Sequence, residues 1–239
     1  MSRSNPTETS KNPSTRWFEW KGGQDGGFVA YYDKAANKNI DAGSKFVFLP
    51  LDELSCVKGW HDASDSGISS NEVRDTKKEP LVVKAFKGGT LAEGFYSQIR
   101  DRIQSQGGHF VSNIYIAYKD EAGQLKLGAI QFKGAALNAW VEFKKANRAG
   151  IYAGAIKIDG YTEGTKGRVK FRVPKFFLLD TTPETDAAAK KIDAEILQPY
   201  LAEYFKRNAV EQIHAPEDAE NAVADAAATE KKEDSEIPF

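Results

Sequence analysis

Alternating apolar and polar positions run through most of this chain and predict a protein built mainly of β-strands. Segments of strand length, rich in Val, Ile, Phe, Tyr and Trp, end repeatedly at turn-forming residues. The predicted strands are 16–20, 28–32, 45–51, 54–61, 81–86, 109–119, 124–133, 151–162 and 166–177. Turn chemistry at 120–123 and at 163–165 joins the last four into two hairpins.

Apolar residues at helical spacing predict three helices between and after these strands. The first covers 91–106 and the second 135–147, with Trp140 on its apolar stripe. A C-terminal helix is predicted from Pro183, with Thr182 as its N-cap. Its packing residues are expected to be Ile192, Ile196, Tyr200 and Tyr204, with a kink or restart at Pro199. The apolar stripe predicted for the first helix, 91–106, consists of Phe95, Ile99 and Ile103.

Two polar segments interrupt the pattern. Residues 62–79 show no periodicity and are too long for an ordinary hairpin loop, so they predict either a mobile flap over a binding groove or a surface insertion. Glycine pairs at 22–23 and 26–27 predict a tight turn. A phosphate-binding loop is not indicated, because no Gly-Lys-Ser/Thr follows and no helix begins there.

The chain ends differ in composition from the middle and define the expected domains. Residues 1–15 are rich in Ser, Thr, Asn and Pro and predict a disordered arm, and 16–210 predict one domain. Residues 211–239 are Ala-rich and acidic, which predicts a disordered tail. The layout is that of an α+β protein, mainly antiparallel β. The strand pattern alone leaves a small barrel and a sandwich open.

Charge is distributed unevenly along the chain. The formal net charge is −1, but nine acids and two lysines give residues 211–239 a net charge of −7, which leaves +6 on the rest. A basic body with an acidic tail is expected when a tail competes with an anionic ligand. One Cys and three scattered His predict no disulfide framework, metal or cofactor, and no apolar run predicts a signal peptide or membrane span. A soluble cytoplasmic protein is expected.

The sharpest internal signal is a predicted line of cations on one strand face. The line consists of Lys166, Arg168, Lys170 and Arg172, with Val169, Phe171 and Val173 expected in the core on the opposite face. The partner strand adds Lys157 and Tyr161, opposite the apolar pair Ile156 and Ile158. A phosphate backbone could follow this line. The alternative interpretation is an edge strand whose cations block aggregation.

Non-specific binding of a single-stranded nucleic acid needs exposed aromatic residues as well as cations, because the bases stack on aromatic rings. Four aromatic residues are predicted to share a face with a polar or charged neighbour, and Lys84 is one such neighbour. They are Trp17, Trp60, Phe86 and Tyr115. The alternative for each is packing in the core or on the surface.

The C-terminal sequence Asp234-Ser235-Glu236-Ile237-Pro238-Phe239 resembles the acidic Ile-Pro-Phe tip of bacterial single-stranded-DNA-binding proteins. The preceding chain is similar in length, strand-rich layout and acidic tail to the single-stranded-DNA-binding proteins of tailed bacteriophages. The resemblance implies an OB-fold-like five-stranded barrel with inserted helices, a C-terminal helix and a disordered acidic tail. The tip residues implied to dock partners are Asp234, Glu236, Ile237, Pro238 and Phe239.

The resemblance also implies a function. It is sequence-independent binding and protection of single-stranded DNA in phage DNA replication, recombination or repair, in the cytoplasm of an infected host. Replication or repair proteins are the implied partners. Because a line of cations neutralises any phosphate backbone, duplex DNA could also bind when the tail is absent. The sequence leaves a homodimer open.

Catalysis is not predicted. His61 with Asp62 and Asp65 could suggest a metal-dependent nuclease, but they lie in a polar segment without predicted support. Two other functions remain open. One is a strand-annealing recombination mediator, and the other is a protein adaptor that acts through its C-terminal tip.

Overall fold

A computed structural model describes residues 11–213 and shows an α+β protein with mostly antiparallel strands. The strands are β1 Trp17–Lys21, β2 Phe28–Asp33, β3 Lys38–Gly43, β4 Lys45–His61, β5 Ser66–Ser70, β6 Leu81–Ala85, β7 Gly89–Gly94, β8 Gly108–Lys119, β9 Leu125–Lys133, β10 Ala155–Lys166 and β11 Val169–Leu179. The helices are α1 Tyr96–Ser105, α2 Gly134–Ala146, α3 Pro183–Ile192 and α4 Gln198–Ile213. Within the described residues, internal contacts group 11–200 as one compact unit, and 201–213 fall in a second unit. The described part of the second unit is the rest of α4.

The 17-residue strand β4 organises the sheet. One edge of β4 pairs with β8 over most of its length, and its other edge pairs with β10 near its start and with β5 near its end. The main strand order is β3-β2-β1-β9-β8-β4-β5-β6-β7, in which β1 and β9 are parallel. The sequence predicted two strands here, 45–51 and 54–61. That prediction is wrong because a β-bulge between Pro50 and Asp52 lets one strand continue past the proline.

Two of the apolar cores on the sheet contain the helices α2 and α1. The larger one packs α2 against the inner residues of β1, β2, β4, β8, β9 and β10, with Trp140 and Phe132 at its centre. The smaller one packs α1 against β6, β7 and the end of β4, and contains Ile99 and Ile103. The apolar stripes predicted for these two helices are therefore confirmed at Trp140, Ile99 and Ile103. Phe95 lies just before α1 and is 37% exposed.

The sheet does not close into a barrel. Strand β11 pairs only with β10, although the backbone N–H of Arg172 donates to the carbonyl of Gly22 at 2.8 Å, just past the end of β1. The five-stranded OB barrel is not confirmed by this topology.

Residues 62–79 are an ordered part of the domain, so neither the flap nor the insertion describes them. They contain a short 3-10 turn, strand β5 and a bridge from Val73 to Ser55 on β4. Glu72 and Val73 are 8% and 2% exposed. No periodicity is visible in this segment because β5 spans only five residues and Glu72 is buried by residues distant in the chain.

The turn between β10 and β11 lies later than predicted. It is formed around Gly167, which has a φ of +61°, and Lys166 pairs directly with Val169. The predicted turn at 163–165 is part of β10. Gly164 serves close packing there, because a Cβ atom at this position would lie 2.5 Å from the ring of Phe171.

The hairpin 109–133 and the helix 135–147 are confirmed by β8, β9 and α2. The helix predicted from residue 91 begins only at Tyr96, because β7 occupies Gly89–Gly94. Thr182 caps α3 as predicted, with its hydroxyl accepting from the Thr185 N–H at 3.3 Å.

The C-terminal helical stretch changes its period before Pro199. A π-turn over Asp193–Leu197 links α3 to α4. Because a π-turn has one residue more than an α-helical turn, the residue that faces the protein core shifts by one position along the chain. Leu197 is fully buried, whereas Ile196, which was predicted to pack, is 45% exposed.

Part of the N-terminal arm belongs to the folded unit. The backbone N–H of Thr15 donates to Leu127 on β9, and the Asn12 amide donates to the Tyr115 hydroxyl, both at 2.9 Å. Residues 1–10 and 214–239, including the predicted docking residues 234 and 236–239, lie outside the described part. No helix within 11–213 is long and apolar enough to cross a membrane.

Candidate nucleic-acid interface

One face of the sheet brings basic and aromatic side chains together at the end of β4. Lys58 on β4 lies opposite Ser69 on β5, and Ser69 lies opposite Lys84 on β6. One step along the same face, Trp60 lies opposite Gly67. The intervening residues Val57, Ile68, Val83 and Ala85 are buried in the smaller core. Because side chains alternate across a strand, the lysines and aromatic residues project from the other side.

This face continues into three adjoining depressions, here together called the groove. The first, of about 530 Å³, lies over β4, β8 and β9 and is lined by Lys58, Trp60, His109, Gln131 and Lys133. The second, of about 680 Å³, also borders Lys133 and extends over the turn 22–26. The third, of about 440 Å³, shares Gln24 and Asp25 with the second and reaches Lys170.

The groove carries a small excess of positive charge, because five basic side chains and four carboxylates line it. They are Lys21, Lys58, Lys133, Lys170 and Arg172, and Glu19, Asp25, Asp41 and Glu163. Among residues 11–208, four lysines on it or beside it form no ion pair with a carboxylate; they are Lys58, Lys84, Lys133 and Lys170. Lys21 pairs with Glu19. Burial lowers the pKa of Lys21, and the charge of Lys133 lowers it further. Such mutual repulsion would be relieved by a bound anion.

A buried carboxylate lies beneath the groove wall. Glu72 accepts hydrogen bonds from the Asn113 amide and the Tyr115 hydroxyl, both at 2.7 Å. The amide of Gln131, a groove residue, lies 3.4 Å from the Asn113 oxygen. Burial raises the pKa of Glu72, and these donors together with the Lys58 charge oppose that rise. Polar bonds therefore fix the position of this wall.

The prediction that Tyr115 stacks on bases is wrong. Its side chain is 0% exposed, and Glu72, Asn12 and Trp17 cover the face that it shares with Asn113. Burial, followed by the nearby Glu72 charge, raises its pKa. Trp17 is 36% exposed but packs edge-on against Tyr115 at 6.4 Å and lines none of the three depressions.

The predicted line of cations is broken by the turn. Lys166 ends β10 and Arg168 lies in the turn, so only Lys170 and Arg172 share a strand face. Val169, expected in the core, is 66% exposed, and Phe171 and Val173 are only partly buried.

The remaining members of this predicted set have roles within the protein. The Arg172 guanidinium lies 4.7 Å from the centre of the Tyr161 ring and donates to the Gly26 carbonyl. Arg172 and Tyr161 thus hold the turn 22–26 that borders the groove. Lys157 pairs with Asp159 at 2.5 Å and lies opposite Val47, near the other end of β4. Ile156 and Ile158 are fully buried, as predicted.

Three predicted residues do lie together on the basic face. Trp60 is 52% exposed, Phe86 is 89% exposed, and Lys84 is exposed beside them. Sequence reasoning missed Lys58 and Lys133 as site residues, along with Lys21 and His109. A signal existed, since Lys58 alternates with Trp60 and Lys133 alternates with Gln131 on predicted strands.

The described residues hold no group of three or more His, Cys, Asp or Glu that could bind a metal ion. The Nδ1 atom of His61 lies 2.7 Å from the Ser64 hydroxyl, which lies 2.8 Å from that of Ser66. Burial raises the pKa of the Cys56 thiol to about 12, which suppresses the reactive thiolate.

Comparison of the chain with protein-family models, with curated proteins and with solved structures gave no match. Function is therefore inferred from the groove and from the sequence of the C-terminal tip.

Proposed function

We propose that this protein binds single-stranded DNA without sequence preference, along a path that runs from Phe86 and Lys84 through the groove to Lys170. The observation that carries the proposal is the joining of unpaired lysines and exposed aromatic rings on one continuous face. Cations attract the phosphate backbone, and flat rings stack on any base, which is the combination used by non-specific single-strand binders. The likeness of the C-terminal sequence to phage and bacterial single-strand binders supports a role in phage DNA replication, recombination or repair.

We propose that the fold which binds single-stranded DNA is an elaborated, incompletely closed OB-like sheet. The path β11-β10-β4-β8-β9-β1 curves around the larger core, and the hydrogen bond from Arg172 to Gly22 brings its two ends together. An OB barrel likewise is partly open and binds oligonucleotides across its strands. The smaller core extends the binding face beyond this path through β5 and β6.

Salt dependence tests the proposal. If Lys58, Lys84, Lys133 and Lys170 each neutralise one phosphate, the log–log salt slope of oligo-dT binding should be about −3, at roughly −0.7 per phosphate. The double variant Lys58→Ala/Lys133→Ala should flatten this slope by about 1.4. Fluorescence anisotropy between about 50 and 300 mM salt measures both slopes.

Lys157→Ala is the control, because it removes a strand lysine that lies away from the groove. Its slope should equal that of the unmodified protein. If Lys157→Ala flattens the slope while the double variant does not, phosphates bind elsewhere on the sheet.

The acidic tail is proposed to compete with DNA and to dock a replication or repair protein through its tip. Residues 211–239 carry a net charge of −7 and are tethered to a body of net +6, so their effective concentration is on the order of millimolar. Ending the chain at residue 210 should therefore tighten oligo-dT binding, most strongly at low salt. Deleting Phe239 alone removes no side-chain charge and should leave DNA affinity unchanged. Weaker oligo-dT binding after truncation at 210 would show that the tail helps to bind DNA or to fold the protein.

A further inference from the structure

Trp60 on β4, Gly67 on β5 and Phe86, the residue just after β6, form one row across the sheet. Trp60 pairs with Gly67, and the Phe86 N–H donates to the Gly67 carbonyl at 2.9 Å. The two rings therefore stand on either side of a residue that has no side chain. They are also among the most exposed aromatic residues of the described chain, at 52% and 89%.

The spacing of this row suits a flat ring. Neighbouring strands lie about 4.8 Å apart, so the Cα atoms of Trp60 and Phe86 are separated by about 10 Å. A base stacked on both faces needs rings about 7 Å apart, at about 3.4 Å per stacking step in DNA. An inward lean of about 1.5 Å by each side chain would bring the rings from the strand spacing to the stacking spacing. A gap of this width above Gly67 would hold one base.

The fold itself does not require glycine at position 67. Its φ is not in the left-handed region, and a Cβ atom built there would meet no atom within 4 Å. Glycine weakens a strand, and a β-branched residue would normally be preferred at such a position. The missing side chain keeps the space between the two rings open.

A row of cations runs beside the rings on the same face. Lys58, Ser69 and Lys84 occupy the equivalent positions on the same three strands, two residues along from the aromatic row. Neither lysine pairs with a carboxylate within the described residues. The phosphates on either side of an inserted base could therefore be bound by Lys58 and Lys84.

We propose that Trp60, Gly67 and Phe86 form a slot that holds one unpaired nucleobase, with its flanking phosphates on Lys58 and Lys84. This inference rests on the proposed single-strand binding. It also gives a physical reason why the protein would bind single strands in preference to duplex DNA. A base inside a duplex is already stacked and paired, so it cannot enter the slot without a cost of unstacking. The lysines alone bind either form of DNA.

Filling the slot tests the inference without removing any contacting side chain. Gly67→Val places a β-branched side chain between the rings at a position that has open space. Its affinity for oligo-dT should fall about 5- to 150-fold, as for the loss of one stacked base. Trp60→Ala should produce a loss of similar size. Binding to duplex, measured in the same assay, should not change in Gly67→Val.

Thr90→Val is the control for added surface hydrophobicity, because it replaces a hydroxyl with a methyl group at an exposed strand position opposite Lys84, outside the slot. It should bind oligo-dT as the unmodified protein does. Gly67→Ala, a smaller change, serves if Gly67→Val unfolds, as judged by circular dichroism, and should weaken oligo-dT binding by a smaller factor.

A second probe separates failure of the slot from failure of the proposed function. An abasic oligomer keeps the phosphates but has no bases, so the unmodified protein and Gly67→Val should bind it equally. If the unmodified protein binds oligo-dT and Gly67→Val binds it equally well, the slot is wrong and the proposed function stands. If the unmodified protein binds neither oligomer, the proposed function is wrong.

Discussion

Replacing Trp140 with Ala should lower the free energy of unfolding by about 3–5 kcal/mol, the usual cost of deleting a buried aromatic side chain. Trp140 is 1% exposed, and the rings of Phe48, Phe132, Phe143 and Phe176 lie 5.4 to 6.3 Å from its own. No neighbour can fill a cavity of that size without breaking these packing contacts.

A polar contact adds to this cost. The Trp140 indole N–H lies 3.3 Å from a carboxylate oxygen of Glu53, which also accepts from Lys144 and Ser112. The Ala variant leaves Glu53 with one donor fewer. Trp17→Ala, at a 36% exposed tryptophan, is the control and should cost much less. Urea unfolding measures both. A loss below about 1 kcal/mol for Trp140→Ala would contradict the central place given to α2 in the core.

Tyr115→Phe should destabilise the protein by about 1–3 kcal/mol at neutral pH, with no change in side-chain size. The variant removes the hydroxyl that donates to the buried Glu72 carboxylate at 2.7 Å. A surface stacking residue, as the sequence suggested, would show almost no change in stability. Urea unfolding at pH 7.5 distinguishes these two placements of Tyr115.

The cost of Tyr115→Phe should depend on pH. Burial raises the pKa of Glu72 above its unfolded value, so the contribution of this group to stability is greatest at low pH and is lost as pH rises through the folded pKa. The hydrogen bond from the Tyr115 hydroxyl stabilises the ionised form of Glu72 more than its neutral form. Its removal should therefore cost less when pH falls below the folded pKa of Glu72.

Glu72→Gln supplies the control for this interpretation. In that background the side chain at 72 carries no charge, so Tyr115→Phe should cost less and its cost should no longer change with pH. An equal cost in both backgrounds, at both pH 5 and pH 7.5, would mean that Tyr115 stabilises the fold through packing alone.

Local sequence signals correctly predicted those elements whose structure depends on residues close to one another along the chain. The hairpin of β8 and β9 follows from a turn at 120–123 between two apolar strands, and α3 begins where Thr182 caps it. The amphipathic pattern of α2 placed Trp140 in the core. Each of these signals lies within one element or its adjoining turn, so the sequence alone displays it.

Long-range packing decided what the sequence could not show. Tyr115 alternates with Asn113, which is typical of a polar surface, yet both bond to Glu72, more than 40 residues earlier in the chain. Gly164 and Gly167 are equally good turn residues in sequence. Only the packing of the Phe171 ring against Gly164 places the turn at Gly167 and so breaks the predicted line of cations.

Part of the groove was missed because its residues come from separate strands. Lys58 and Lys133 are unremarkable singly, and they lie near each other and near the predicted Lys84 only because β4 pairs with β8 at one edge and with β5 at the other. Strand order of this kind is not encoded in a local pattern. Trp60 and Phe86 were found from their neighbours' charges, but the glycine between them was not.

Lysine footprinting tests the central proposal most directly. The protein is acetylated briefly with and without saturating oligo-dT at low salt, and modification at each lysine is measured by mass spectrometry. Groove binding predicts that oligo-dT protects Lys58, Lys84 and Lys133 and leaves Lys145 and Lys190, on the exposed faces of α2 and α3, unprotected. Unchanged modification of Lys58, Lys84 and Lys133 by bound oligo-dT, with protection elsewhere, would contradict the proposal.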